Sequence, residues 1–235
     1  MRTPSRRPRA EPGPLTRRRI AEAALARIDA DGLEALSMRK LGKALGVEAM
    51  ALYHHFRDKG ELLDAVLELL MEEMEPPPGP MPPLDRIRRT IEASHGIALR
   101  HPHAFILIAT RRFNTPSSFD YYERVLGLFR DAGLDAQRSA HFFRLLGSVA
   151  TGAGLAQVAS RAQQADPTPV KLEHFSDPRR HPLVTAVAPY LRARRLDELF
   201  QFHLDVVFDA MRAAVRPGPA TAKRSRGSRA SKRPG

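Results

Sequence analysis

GLEALSMRKLGKALGVEAMALYHHFRDKGELLDAV, residues 32–66, decides the fold. Ser37 caps a short helix, MRKLGKAL, in which Leu41 and Leu45 stand one turn apart, and Gly46 ends it. Only Gly46 and Val47 separate that helix from another, roughly Glu48 to His55. So short a link forces the two to cross steeply, which is the helix-turn-helix arrangement. At about 100° per residue, Leu52 and Phe56 point inward with Leu41, Leu45 and Val47. Met50 and His54 point the other way, Tyr53 lies beside them, and Ala49 and His55 flank them. In a helix-turn-helix that outer face enters the DNA major groove. Asp58, with Glu61 three positions on, opens a further helix through Leu62, Leu63, Val66, Leu67, Leu70 and Met74.

Working outward, Thr16 is placed to cap a helix running to about Asp31, with Ile20, Ala24 and Ile28 on one stripe and Gly32 as its stop. Residues 1–14 hold four prolines and no apolar periodicity, so they read as a disordered arm. Downstream, PPPGPMPP (76–83) cannot be helix and reads as a stiff, extended spacer. Past it the pattern predicts helices at about 84–100, 102–114, 117–132, 135–164, 183–191 and 194–215. AFILIA (104–109) looks strand-like but is too short and isolated to build a sheet. The expected fold is all-α, divided as 1–14 basic arm, 15–75 DNA-binding domain with connecting helix, 76–83 spacer, 84–215 larger helical domain and 216–235 basic tail.

Charge is concentrated at the ends. The net charge is +12, yet the first nineteen residues carry seven arginines against one acid and the last twenty carry seven Lys/Arg and no acid. The body between is nearly neutral, and arms of this kind suit a polyanion such as nucleic acid. Arg2, Arg6, Arg7 and Arg9 could track phosphates or a minor groove. Cysteine is absent, which removes disulfides, thiolate metal sites and cysteine nucleophiles. No uninterrupted apolar run reaches the roughly 18 residues of a membrane span, and no apolar stretch follows the N-terminal arginines as in a signal peptide. The expectation is a cytoplasmic protein with no membrane partner.

Residues 32–66 resemble the DNA-binding domain of the TetR family of bacterial transcriptional repressors, in GLEAL, SMRKLGKALGV, LYHHF and DKGELL. The resemblance implies a homodimer with a small N-terminal three-helix DNA-binding unit and a larger helical effector domain. It implies DNA contacts at Arg39, Tyr53, His55 and Lys59, with Met38, Ala49, Met50 and His54 at base-facing positions. Members closer to the tetracycline repressor carry Gln and Pro where this chain has Ala49 and Met50. These two cannot make bidentate hydrogen bonds but can pack on thymine methyls.

The closing helix, LDELFQFHLDVVFDAM (196–211), is apolar round most of its circumference and is expected to be buried on several sides. Its F-x-F-x-L-D pattern is similar to the last helix of tetracycline-repressor-type effector domains. GSVATGAGLA (147–156) supplies small residues for close helix approach, and with the closing helix would form a four-helix dimer interface. A pocket is expected among helices 84–164, lined by His95, Phe105, Ile108, Arg112, Phe113, Tyr121, Phe142 and Leu146.

Function then reads as a ligand-responsive regulator. It would bind a palindromic double-stranded DNA operator as a homodimer and be released by a small-molecule effector. The competing reading is an architectural, weakly specific DNA binder without an effector. No nucleophile elbow, phosphate loop, HExxH or supported acid pair is present, so neither an enzyme nor a cofactor is expected. His54-His55 diverge by about 100° on a helix and His101-Pro102-His103 has no acid cluster near it in sequence, so no metal site is expected.

Overall fold

The computed structural model describes residues 14–111, 113–165, 177–188, 190 and 196–215, and every regular element among them is helical. The expected disordered arm falls outside the described residues up to residue 13, and the expected basic tail does so throughout. Helix α1 spans Arg17–Asp31, and after a 3-10 turn at Leu33–Ala35 come α2 (Met38–Leu45), α3 (Ala49–Tyr53) and α4 (Lys59–Glu72). Then follow α5 (Pro83–Arg100), α6 (Ile106–Thr110), α7 (Pro116–Asp131), α8 (Ala136–Ala165), α9 (Pro182–Val187) and α10 (Leu196–Val215).

The caps read from the sequence form as hydrogen bonds. Thr16 accepts from the Arg19 N–H, Ser37 from Lys40 and Asp58 from Glu61. Glu61 reaches back to the Arg57 N–H at 2.7 Å, completing a reciprocal cap one residue earlier than the usual box. Gly46 sits in the left-handed region at φ +72°, which lets Val47 N–H return to Gly42 O and turn the chain into α3. Gly42 makes the tight crossing possible. A Cβ there would lie 2.9 Å from the Val47 carbonyl oxygen and 3.2 Å from the Ala49 nitrogen.

Ile20, Ile28, Leu41, Leu52 and Phe56 close the three-helix core, and α1 packs along α4. On its other side α4 meets α6 and α7. Beyond the proline spacer, α5 packs against α7 and α8, and α10 lies on α8.

Two expectations shift. α3 ends at Tyr53, with His54 and His55 in a turn whose N–H groups close onto Leu52 O at His55 and Phe56. The predicted helix at 102–114 shrinks to Ile106–Thr110. β-branched Ile106, Ile108 and Thr110 favour helix poorly, Thr110 bonds back to Ile106 O, and Arg111 is extended and turned toward α4. Within α8, an 18-residue window of Ala136–Ala162 reaches a mean hydropathy of 1.2, long and apolar enough to cross a membrane by length and composition alone. That value comes from Ala, Gly, Val and Leu mixed with a few polar residues, which a search for an unbroken apolar run passes over.

Gly42→Ala should destabilise the fold by about 1–3 kcal/mol, because rigid backbone faces the added methyl. Gly147→Ala, mid-helix with nothing within 4 Å of its Cβ position, should instead add about 0.5–1 kcal/mol. Urea denaturation of the two variants checks both signs.

Candidate nucleic-acid interface and ligand cavity

The outer face of α3 stands clear of the core. Met50 is 67% and Tyr53 44% exposed, His54 is exposed, and Ala49 and His55 are half-buried. Arg39 is exposed on α2, and Lys59 is half-exposed at the first turn of α4. Met38 departs from this set. It is 6% exposed and belongs to the core, not to the outer face. Counted along α2, Met38 shares one stripe with Leu41, Gly42 and Leu45, and that stripe faces α1 and α3.

Two arginines outside the predicted set frame this face. Arg17 donates to the His55 carbonyl, pairs with Glu61 at 3.0 Å and lies 4.3 Å over the Phe56 ring. It thereby ties the first turn of α1 to the end of α3. Arg57 projects its side chain 89% exposed between α3 and α4. The Arg57 N–H, followed by Arg17, holds the Glu61 carboxyl below the usual range. In the sequence Arg17 is one charge in a basic run, and nothing local marks its carbonyl partner 38 residues away.

The second feature is a cavity of about 650 Å³ among α5, α6, α7 and α8. Of the predicted lining residues, Ile108, Phe113 and Tyr121 border it. Arg112 lies outside the described residues. The other four face elsewhere. His95 is buried against α10, its ring stacked 4.0 Å from Phe200, and desolvation lowers its pKa while Asp197 opposes that shift. Phe105 is buried with its ring against Gly154, so close that any Cβ there would clash. Leu146 is fully buried in the core, and half-buried Phe142 packs against it.

On α8 the error is one of register. The lining face is Phe143, Arg144, Gly147, Ser148, Thr151, Gly152 and Leu155, one residue round from the Phe142–Leu146 stripe. Of the small residues expected at a dimer seam, Gly147, Ser148, Thr151 and Gly152 border the cavity, and Gly154 receives Phe105. Tyr122 and Ser94 also line it and were not anticipated.

The two features are mechanically joined. Arg111, between the lining residues Ile108 and Phe113, reaches α4 through Asp64 Oδ1 and the Gly60 carbonyl, both at 2.9 Å. His101 sits between Asp29 of α1 (2.7 Å) and Glu73 just past α4 (3.0 Å). The acids absent near it in sequence thus arrive from two other elements. They approach opposite ring nitrogens, an arrangement that bridges elements and does not converge on one ion. Arg124 of α7 pairs with Glu75.

Residues 20–66 match the family described as "Bacterial regulatory proteins, tetR family", and residues 84–215 match "Tetracyclin repressor-like, C-terminal domain". The chain is 35% identical over 156 residues to the transcriptional repressor DrrR1 of Streptomyces coeruleorubidus, covering 65% of this chain and 58% of that protein. It is 33% identical over 120 residues to an HTH-type transcriptional regulator of Saccharopolyspora erythraea, covering 51% of each. The chain thus spans between half and three fifths of these curated relatives. Among solved structures, ActR of Streptomyces coelicolor in complex with actinorhodin superposes with a TM-score of 0.76 at 26% identity, over 87% of this chain and 100% of that one.

The opposite placement of two methionines gives a direct check. Met38→Ala should cost about 2–5 kcal/mol of stability. Met50→Ala should stay within about 0.5 kcal/mol. Chemical denaturation of each variant measures both.

Proposed function

Because the chain belongs to the TetR family of bacterial regulatory proteins, the C-terminal match alone covering residues 84–215 of 235, we propose that it is a transcriptional repressor released from DNA by a small-molecule effector. The observation that carries this reading is the physical link between an exposed recognition face and a cavity. Arg111, flanked by cavity-lining residues, grips the first turns of α4, the helix that follows the recognition helix. The structural neighbour ActR, solved in complex with actinorhodin, supports a small-molecule ligand for this chain.

DNA contact is assigned to Arg39, Ala49, Met50, Tyr53, His54, His55 and Lys59. Met50 and Ala49 offer apolar contact to thymine methyls, and Arg39 and Lys59 offer charge to phosphates. Met38 is withdrawn from this role by its burial. Arg57 adds an exposed cation beside the same face.

The acting species is a homodimer. On α10, Phe200, Leu204, Val207, Phe208 and Met211 are buried, while Leu199, Phe202 and Val206 stand exposed on another face. Phe202 is 61% exposed. A second copy is the partner that buries this second apolar face symmetrically. Effector binding then favours a dimer state with misplaced recognition helices, through a coupling of roughly 1–3 kcal/mol.

Selection of bound DNA from a random-sequence library, with full-length protein at physiological salt, tests the reading. A palindrome with half-sites about 34–36 Å apart, or a multiple, is expected. Absence of any enriched motif would move the assignment to an architectural DNA binder. Arg111→Ala should leave operator affinity within about threefold while cutting the loss of affinity that a cavity ligand produces, a loss that coupling of this size puts at roughly 5–150-fold.

A further inference from the structure

We propose that the cavity selects a flat aromatic ligand carrying an anionic group, with Arg144 as its counter-charge. The proposal rests on the effector-site reading above and specifies the chemistry that site accepts.

One wall is aromatic. Tyr122 is its hub, with ring centroids 6.2 Å from Phe113, 6.1 Å from Tyr121 and 5.4 Å from Phe143, at interplanar angles of 52°, 54° and 86°. Tilted and edge-on contacts of this kind satisfy the rings among themselves and keep them as a wall. Along α8, between the bulkier Phe143 and Arg144 at one end and Leu155 at the other, the lining is small: Gly147, Ser148, Thr151 and Gly152. A Cβ added at Gly147 or Gly152 would meet no atom of the described residues within 4 Å, so none of these fills the space in front of them. Glycine inside a helix costs about 1 kcal/mol relative to alanine, and here no packing among the described residues offsets it. The ring cluster and the run of small residues along α8 leave room for a planar body. About 650 Å³ is within the usual range for drug-sized molecules.

The polar groups are sparse and one-signed. Burial raises the pKa of the Tyr121 and Tyr122 hydroxyls, which therefore stay neutral near pH 7. Ser94, Ser148 and Thr151 are neutral. No Asp or Glu is among the described lining residues, and Arg144 is the one charged group. Its surroundings leave it available. Helix α8 contains no acidic residue over its thirty positions. Of its three arginines, Arg138 is held by Asp135 and the Ala214 carbonyl, and Arg161 donates to the Leu99 carbonyl. Arg144 makes no hydrogen bond or ion pair with the described residues. A guanidinium presents a planar donor fork that matches a carboxylate, sulfonate or ionised phenol. The same charge repels cationic aromatics.

The test uses two fluorescent probes that share a ring system. 8-Anilinonaphthalene-1-sulfonate is anionic, and N-phenyl-1-naphthylamine lacks the sulfonate. Both are titrated into full-length wild type, Arg144→Gln, Arg144→Lys and the cavity-filling Gly152→Phe, with circular dichroism verifying each fold. Both probes should bind wild type, and Gly152→Phe should remove that binding. Arg144→Gln should weaken the sulfonate probe about tenfold and change the neutral probe less than about twofold, the scale of a lost charge-assisted contact. Arg144→Lys should restore part of the sulfonate affinity. Equal effects of Arg144→Gln on both probes, or none, would overturn the anion preference while leaving the cavity as a ligand site. Binding that survives Gly152→Phe in a folded protein, or no binding to wild type, would overturn the site reading and the inference with it.

Discussion

Helix α4 has to be core for two bodies at once. Leu62, Leu63, Val66, Leu67, Leu69, Leu70 and Met71, half of its fourteen residues, are buried. No single stripe of a helix holds so many, so α4 is apolar toward α1 on one side and toward α6 and α7 on the other. The recognition helix is short, five residues, and depends on what α4 offers it. Phe56 and Leu52 are fully buried beneath it, and Glu61 anchors the loop between them through the Arg57 N–H. A displacement of α4 therefore moves the exposed face of α3, and a packed core passes that displacement on instead of absorbing it.

Charge decides where the two halves are fastened. The apolar contacts along α4 are non-directional and would tolerate sliding. Arg111 on Asp64 and Gly60, His101 between Asp29 and Glu73, and Arg124 on Glu75 are directional and fix the register. Each is partly exposed, so each contributes modest stability. Their value lies in geometry. They sit at the two ends of α4, the places where a small rotation of that helix is felt most.

The cavity follows from the same economy. Phe105 spends its bulk on Gly154, and Leu146 and Ala150 spend theirs on the core. The middle of the neighbouring α8 face, between Arg144 and Leu155, is left with glycine, serine and threonine, and the gap is large compared with ordinary packing voids. A space of this size is held open because the tyrosine and phenylalanine rings brace one another edgewise.

The sequence by itself determined what depends on neighbours within about four residues. The Thr16, Ser37 and Asp58 caps, the Gly46 turn and the inward and outward faces of α3 all formed as read, because cap hydrogen bonds and helical periodicity are local. Tertiary structure decided the rest. Met38, given a base-facing position by the family resemblance, lies on the inward stripe of α2 with Leu41 and Gly42, and packing against α1 and α3 buries it. The lining face of α8 fell one residue from the expected stripe, since a helix carrying apolar or small residues on nearly every side does not itself say which side meets a void. His101 acquired two carboxylates, and Arg17 a carbonyl, from positions 28 to 72 residues distant. Side-chain reach and helix packing bring such groups together, and spacing along the chain carries no trace of it.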